Sequence, residues 1–290
     1  MQEIIFDIGA NRGEFGLELA KTNPDASFYL FEPISHLVDH MNDQKDQHNL
    51  KNVKIYSFGI GSENTEAPFY YSEYGDMGIS SFKQLNDVNI ESDEYWQTRR
   101  DLQMTSVIEA VKVKRLDHFI VENNIDQIDF MKIDAQGMTW EILQSLGSHI
   151  DKLMAGMIES PSTEFSALYK DEKLLSAFLI FLEKNGFKIM KVKPNDEACN
   201  ELNIFFSRSI NNWRETVDSL DLNMNSIFSG KDFWGGPSCQ FNAEINRLNA
   251  RINEQDAEIN RLNARIKDFG GGPSCQFNAE INRLNARINE

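Results

Sequence analysis

Four carboxylates in this chain stand where their neighbours give them something to act on. "DIGANRG" at 7–13 sets Asp7 at the end of an apolar run and follows it with Gly9, Asn11 and Gly13. "YLFEP" sets Glu32 at the end of a second apolar run, nineteen residues after Gly13, and Pro33 stops that run. "IDFMKIDAQG" ends a third run at Asp134, with Lys132 two residues upstream on the same strand face, and "GMIE" ends a fourth at Glu159. An acid at the end of a second strand can accept both hydroxyls of a ribose. An acid at a strand end can also take a proton from an alcohol, or join a second acid in holding Mg2+ through oxygen ligands. A buried Lys132 would keep Asp134 ionised for such work. His36 and His118 lie in helical runs and are assigned to the surface.

These acids need a sheet to bring them together. Apolar, β-rich runs at 3–8, 27–31, 53–58, 128–133, 153–158, 186–192 and 202–206 alternate with helical periodicity at 14–22, 34–47, 116–124, 138–146 and 174–185. Near-continuous apolar strands between amphipathic helices predict a mostly parallel sheet covered on both faces. The last two runs are too close for a crossover helix, so they are expected to form an antiparallel hairpin. Residues 59–110, rich in Tyr, Ser, Glu and Asp, break the alternation and are expected to hold a small hairpin and a lid. In an open parallel sheet, ligands gather at the carboxyl ends of the strands, where residues 9–13 fall. Gly9 and Gly13 allow a tight turn there. The spacing is D-x-G-x-x-x-G, not G-x-G-x-x-G, which argues against a pyrophosphate and hence against a nicotinamide dinucleotide.

The segments "FDIGANRGEFG", "FEP", "ISSF" (79–82), "VKVKRLDHFI" (111–120), "MKIDAQGMTWEIL" (131–143) and "MIES" (157–160) together resemble the FkbM-type S-adenosylmethionine-dependent methyltransferases. The resemblance implies a class I methyltransferase α/β fold, Rossmann-like, with about seven strands over 1–210. It also implies O-methylation of a sugar, glycan or secondary metabolite. Cofactor contacts then fall to Asp7, Gly9, Asn11, Gly13, Glu32 and Ser81, and catalysis to Asp134 first and Glu159 second. Mg2+ is carried as an accessory to S-adenosylmethionine, with no dedicated metal ligands assigned. The family usually reads lysine–x–aspartate–x–glutamate–glycine, with another acid two residues after that glycine. This chain has Gln136 and Thr139 at those places. Those departures, together with the tail described next, keep a second reading open: a catalytically decayed fold serving as an oligomerising module.

Formal charge is −16 over 290 residues, with no basic patch beyond Arg99-Arg100, so nucleic acid is not an expected partner. Cys199, Cys239 and Cys275 have no metal-ligand spacing and no even-numbered disulfide framework. No apolar run approaches the ~20 residues of a membrane span, and the chain reads as cytoplasmic. Residues 211–234 read as a connector. Beyond them, "GGPSCQFNAEINRLNARINE" occurs at 235–254 and again at 271–290. Ile245, Leu248, Ile252, Ile259, Leu262 and Ile266 follow heptad spacing, with polar Gln255 at one core position, and Phe277, Ile281, Leu284 and Ile288 restart it. Such a seam is expected to pair with a copy of itself through 241–288. Deleting 235–290 is expected to convert a dimer into a monomer that still binds S-adenosylmethionine, as read by light scattering. A full-length chain that is already monomeric at tens of micromolar would overturn the pairing.

Overall fold

The computed structural model describes residues 2–71, 77–99 and 107–208; the connector and heptad tail lie outside the described residues. The chain opens with β1 (Ile4–Ile8), α1 (Glu14–Thr22), β2 (Ser27–Phe31), α2 (Ser35–Gln47) and β3 (Val53–Tyr56). After the middle segment it resumes with α5 (Leu116–Glu122), β7 (Phe130–Ile133), α6 (Thr139–Ser145), β8 (Ala155–Pro161), α7 (Leu175–Lys184), β9 (Lys188–Pro194) and β10 (Glu201–Ser207). Seven of these strands form one sheet in the order β3-β2-β1-β7-β8-β10-β9. The first five are parallel, and β10 runs antiparallel to both its neighbours. The chain winds outward from β1 to β3 and returns beside β1 as β7, so strand order reverses between β1 and β7. That is the class I methyltransferase arrangement, and its crevice opens at the carboxyl ends of β1 and β7.

Both faces of the sheet are covered, which explains the unbroken apolar runs. Ile5, Phe28, Leu30, Phe130 and Met157 pack with Phe15, Leu17 and Leu19 of α1 and Met41 of α2. The alternate residues Phe6, Ile8, Phe31, Met131, Ile133 and Ile158 pack with α5, α6 and α7 through Phe119, Ile142, Leu143 and Phe178. Strand side chains alternate with a period of two. Asp7, Lys132 and Glu159 therefore continue the rows begun by Ile5, Phe130 and Met157, and Glu32 lies one step beyond Leu30. The α1/α2 face of the sheet thus changes from apolar to polar toward the carboxyl ends of the strands.

The hairpin expected at the end of the body is β9–β10. β8 extends to Pro161, further than the apolar run suggested, because β10 pairs with it as far as Glu201↔Pro161. The middle segment holds more than a hairpin. β4 (Gly59–Ile60), β5 (Thr65–Tyr71) and β6 (Val107–Lys114) make a second sheet in the order β4-β6-β5, and α3 (Asp87–Ser92) and α4 (Glu94–Thr98) follow β5 in the chain. Trp96 of α4 is buried and donates its indole N–H to the Ser166 carbonyl at 3.1 Å, which fastens this segment to the loop after β8.

Close approach of β1 and β7 sets one backbone requirement. Gly9 has φ +76°, and a Cβ there would lie 1.9 Å from the Asp134 carbonyl oxygen. The glycine is required by the neighbouring turn. Gly9→Ala combines overpacking against backbone with a left-handed conformation and is expected to cost about 3 kcal/mol. Urea denaturation would show a lower midpoint at unchanged slope; a loss below ~1 kcal/mol would mean that the two turns can separate freely.

Candidate active site

Glu32 ties the glycine turn to the end of β2. Its Oε2 accepts the Asn11 backbone N–H at 2.8 Å and its Oε1 accepts the Ile34 N–H at 3.0 Å. Asn11 adopts φ 51° to present that N–H, and Gly13 at φ +79° starts α1. Only 5% of Glu32 is exposed. Burial pushes its carboxyl up to about 7, against the two N–H bonds that favour the anion.

Lys132 occupies the centre of the polar row. Its ammonium is buried, 3.5 Å from Asp7 Oδ1 and 3.3 Å from Asp134 Oδ2. These two anions raise the lysine above its ordinary value despite burial. Asp7 has no exposed surface, and its second oxygen accepts the Gly16 N–H at 3.1 Å, in the first turn of α1. The structure thus places Asp7 beneath the helix, as the partner of Lys132 and a remote cap for α1. Asp134 differs from the rest of the row: 26% of its side chain is exposed.

Asp134 and Glu159 converge on one nitrogen. Gln136 Nε2 donates to Asp134 Oδ1 at 2.9 Å and to Glu159 Oε2 at 3.0 Å. The other Glu159 oxygen accepts from Asn195 Nδ2 at 2.6 Å, and Asn195 is held in turn by Asn203 Nδ2 at 3.1 Å. Burial first, then the charge of Asp134, pushes Glu159 well above the usual carboxylate range. Ser81, 1% exposed, donates to the Gln136 carbonyl at 2.6 Å and accepts the Lys83 N–H at 2.9 Å, so it fastens the segment after β5 to the turn after β7. Tyr169 Oη lies 2.9 Å from Gln136 Oε1 and 2.8 Å from the Ile79 carbonyl.

The structure therefore brings Asp7, Gly9, Asn11, Gly13, Glu32, Asp134 and Glu159 to one end of the sheet, with Ser81 anchoring a loop beside them. His36 and His118 are exposed, and His118 Nδ1 pairs with Asn64 Nδ2. Gln136, Tyr169 and Asn195 were not among the expected site residues. Gln136 had a signal, its place between Asp134 and a glycine. Tyr169 and Asn195 come from connecting loops and had none. No group of three or more His, Cys, Asp or Glu able to hold a metal ion occurs among the described residues, and none of the described helices is long and apolar enough to cross a membrane.

Residues 7–197 match the model of the methyltransferase FkbM domain. The chain belongs to that family. It therefore carries an S-adenosylmethionine-dependent methyltransferase domain, and the FkbM match spans all of the site but the outer Asn203. A curated relative, the AMB antimetabolite synthetase AmbE of Pseudomonas aeruginosa, is 24% identical over 162 residues, covering 49% of this chain and 8% of that protein. Among solved structures, the precorrin-6y C5,15-methyltransferase of Geobacter metallireducens GS-15 is similar at 12% identity and TM-score 0.36, over 71% of this chain and 78% of that one. M. capricolum TrmK, solved with S-adenosyl-homocysteine, is similar at 11% identity and TM-score 0.39, over 99% and 91% of the two chains.

The fold concentrates acids whose neutral forms it favours. Burial raises Glu172 to about 7 and Glu201 to about 8, besides Glu32 at about 7. A carboxyl whose folded value is raised stabilises the fold fully below its unfolded value near 4.5, and that contribution is lost as pH climbs through 7 to 8. Chemical denaturation is expected to show stability falling by at least ~2 kcal/mol between pH 5 and 8, with Glu32→Gln flattening part of the slope. A stability that rises over this interval would contradict the upward shift of these carboxyls.

Proposed function

We propose that this FkbM protein transfers the methyl group of S-adenosylmethionine to a hydroxyl of a sugar, glycan or secondary metabolite, with Asp134 as the base. The observation that carries the reading is the contrast in exposure along the polar row. Asp7, Glu32, Lys132 and Glu159 are buried, whereas Asp134 keeps a quarter of its side chain open at the carboxyl ends of the strands. A group that takes a proton from an incoming alcohol must be reachable.

The donor set fits the cofactor. Glu32 has a free lone pair on each oxygen beyond the Asn11 and Ile34 N–H bonds, suited to two ribose hydroxyls. The excess of carboxylates over the one lysine suits a ligand bearing an ammonium and a sulfonium. Bound S-adenosylmethionine supplies an electrophilic methyl that a nucleophile must meet in line. The chain's part is then to hold the ribose through Glu32, to align the acceptor, and to receive its proton at an Asp134 oxygen. Lys132 stays paired with Asp7 and Asp134 and holds that carboxylate in place. Thr139 opens α6 and is buried, so the departures from the family pattern at 136 and 139 leave both Asp134 and Glu159 intact. The match inside an antimetabolite synthetase accords with the secondary-metabolite branch of this reading. An accessory Mg2+ between Asp134 and Glu159 is not favoured, because the Gln136 N–H groups already occupy the oxygens it would need.

Two variants separate binding from chemistry. Glu32→Ala is expected to weaken S-adenosylhomocysteine binding by roughly 1.5–3 kcal/mol, the worth of charge-assisted hydrogen bonds, in calorimetry. Asp134→Asn is expected to lower methyl transfer from radiolabelled S-adenosylmethionine to a panel of glycosides and polyols by about 10²-fold or more, with cofactor affinity nearly unchanged. Unchanged affinity in the first variant would displace the cofactor from Glu32. Full turnover in the second would remove the base from Asp134.

A further inference from the structure

Gln136 is more constrained than a turn residue needs to be. It is 8% exposed, sits at φ 46° without being glycine, and every polar atom of its amide is engaged. A left-handed conformation disfavours a residue with a Cβ, and a tight turn alone would be easier with glycine. The orientation of the amide is fixed by its partners. Asp134 Oδ1 and Glu159 Oε2 both face one nitrogen, and turning the amide over would set its oxygen against Asp134 and break both hydrogen bonds. Its backbone carbonyl is fastened by Ser81 Oγ at 2.6 Å, so the side chain projects from a clamped base.

We propose that Gln136 is a positioning residue for the acceptor-side carboxylates: its amide nitrogen bridges Asp134 and Glu159, and so occupies the point from which a divalent cation would bridge them. The inference rests on the reading of Asp134 as the base. The bridge supplies what a cation would otherwise supply, a positive partner shared by two acids, but as a neutral group on a fixed arm. Lys132, 3.3 Å from Asp134, adds a positive charge that a metal ion would have to approach. Glutamate at 136 would reverse both properties. It would bring a third carboxylate to the place where two already converge, and carboxylate oxygens are the ligands that Mg2+ and Mn2+ prefer. A neutral donor therefore decides whether this edge of the sheet works through an organic base or through a metal.

Mn2+ is the probe, titrated into the full chain and followed by electron paramagnetic resonance. Wild type is expected to show no Mn2+ binding that Asp134→Asn removes. Gln136→Glu is expected to bind one Mn2+ at least about tenfold more tightly than wild type, since affinity follows the number of charged ligands, and to lose it when Asp134→Asn is added. S-adenosylhomocysteine affinity of Gln136→Glu should stay within about twofold, because Glu32 is untouched. Loss of that affinity in wild type would count against the cofactor placement and leave the bridge standing, so the two failures are distinguishable. A merely structural glutamine would change stability on replacement and create no Mn2+ site. Should Gln136→Glu not fold, Gln136→Ala frees the same two oxygens and is expected to bind Mn2+ more tightly than wild type. The proposal is overturned if wild type binds Mn2+ in an Asp134-dependent way, or if folded replacements at 136 bind it no better than wild type.

Discussion

An ammonium buried in the middle of a sheet needs anions around it, and the arrangement of this site follows from how Lys132 is answered. Asp7 and Asp134 face it from β1 and from the end of β7, on adjacent strands whose register sets Asp7 opposite Lys132. Removing Lys132 itself would leave the fully buried Asp7 without its cation, at about 3–5 kcal/mol. Asp7 passes the constraint to α1 through the Gly16 N–H, and Asp134 passes it to Glu159 through Gln136. The helix after β1, the turn after β7 and the end of β8 are thereby placed relative to one charge. The carboxyl end of the sheet is tied together through matched charges and their hydrogen bonds.

The same face of the sheet serves two purposes along its length. Near the amino ends of the parallel strands it is filled by Ile5, Phe28, Phe130 and Ala155. Near their carboxyl ends the row becomes Asp7, Glu32, Lys132 and Glu159. The period of two carries both, so a strand that anchors the core also delivers a polar group to the crevice without any change of direction. The glycine at position 9 belongs to the same geometry, since the backbone of the β7 turn lies where its Cβ would be.

What could be read from the sequence, and what could not, divides by the range of the interactions. Glu32 and Asp134 were legible because each ends a continuous apolar run, a local signal that fixes both the strand and the position at its end. The parallel strands and the final antiparallel pair were legible from the βαβ alternation and the crowded end of the body. The lateral order of the seven strands was not, because alternation along the chain does not say which strand lies beside which. β6 over 107–114 was not among the continuous apolar runs taken as strands, because its polar and apolar residues alternate as in a strand buried on one face. Its partners, β4 and β5, lie more than thirty residues away. Gln136 looked like the loss of an acid. Its use as a bridge became visible only once Glu159 was placed against it, by pairing of β7 with β8. Tyr169 and Asn195 come from loops whose composition resembles any other.

The central claim is that the cofactor lies over the carboxyl ends of β1 and β2, against Glu32 and the glycine turn. Hydrogen exchange of the full chain with and without saturating S-adenosylhomocysteine tests it most directly. The predicted result is slowed exchange in peptides covering residues 7–16 and 31–37, with no change across residues 186–194 on the far edge of the sheet. Protection confined to other segments, or unchanged exchange at 7–16 and 31–37 with the ligand bound, would contradict it.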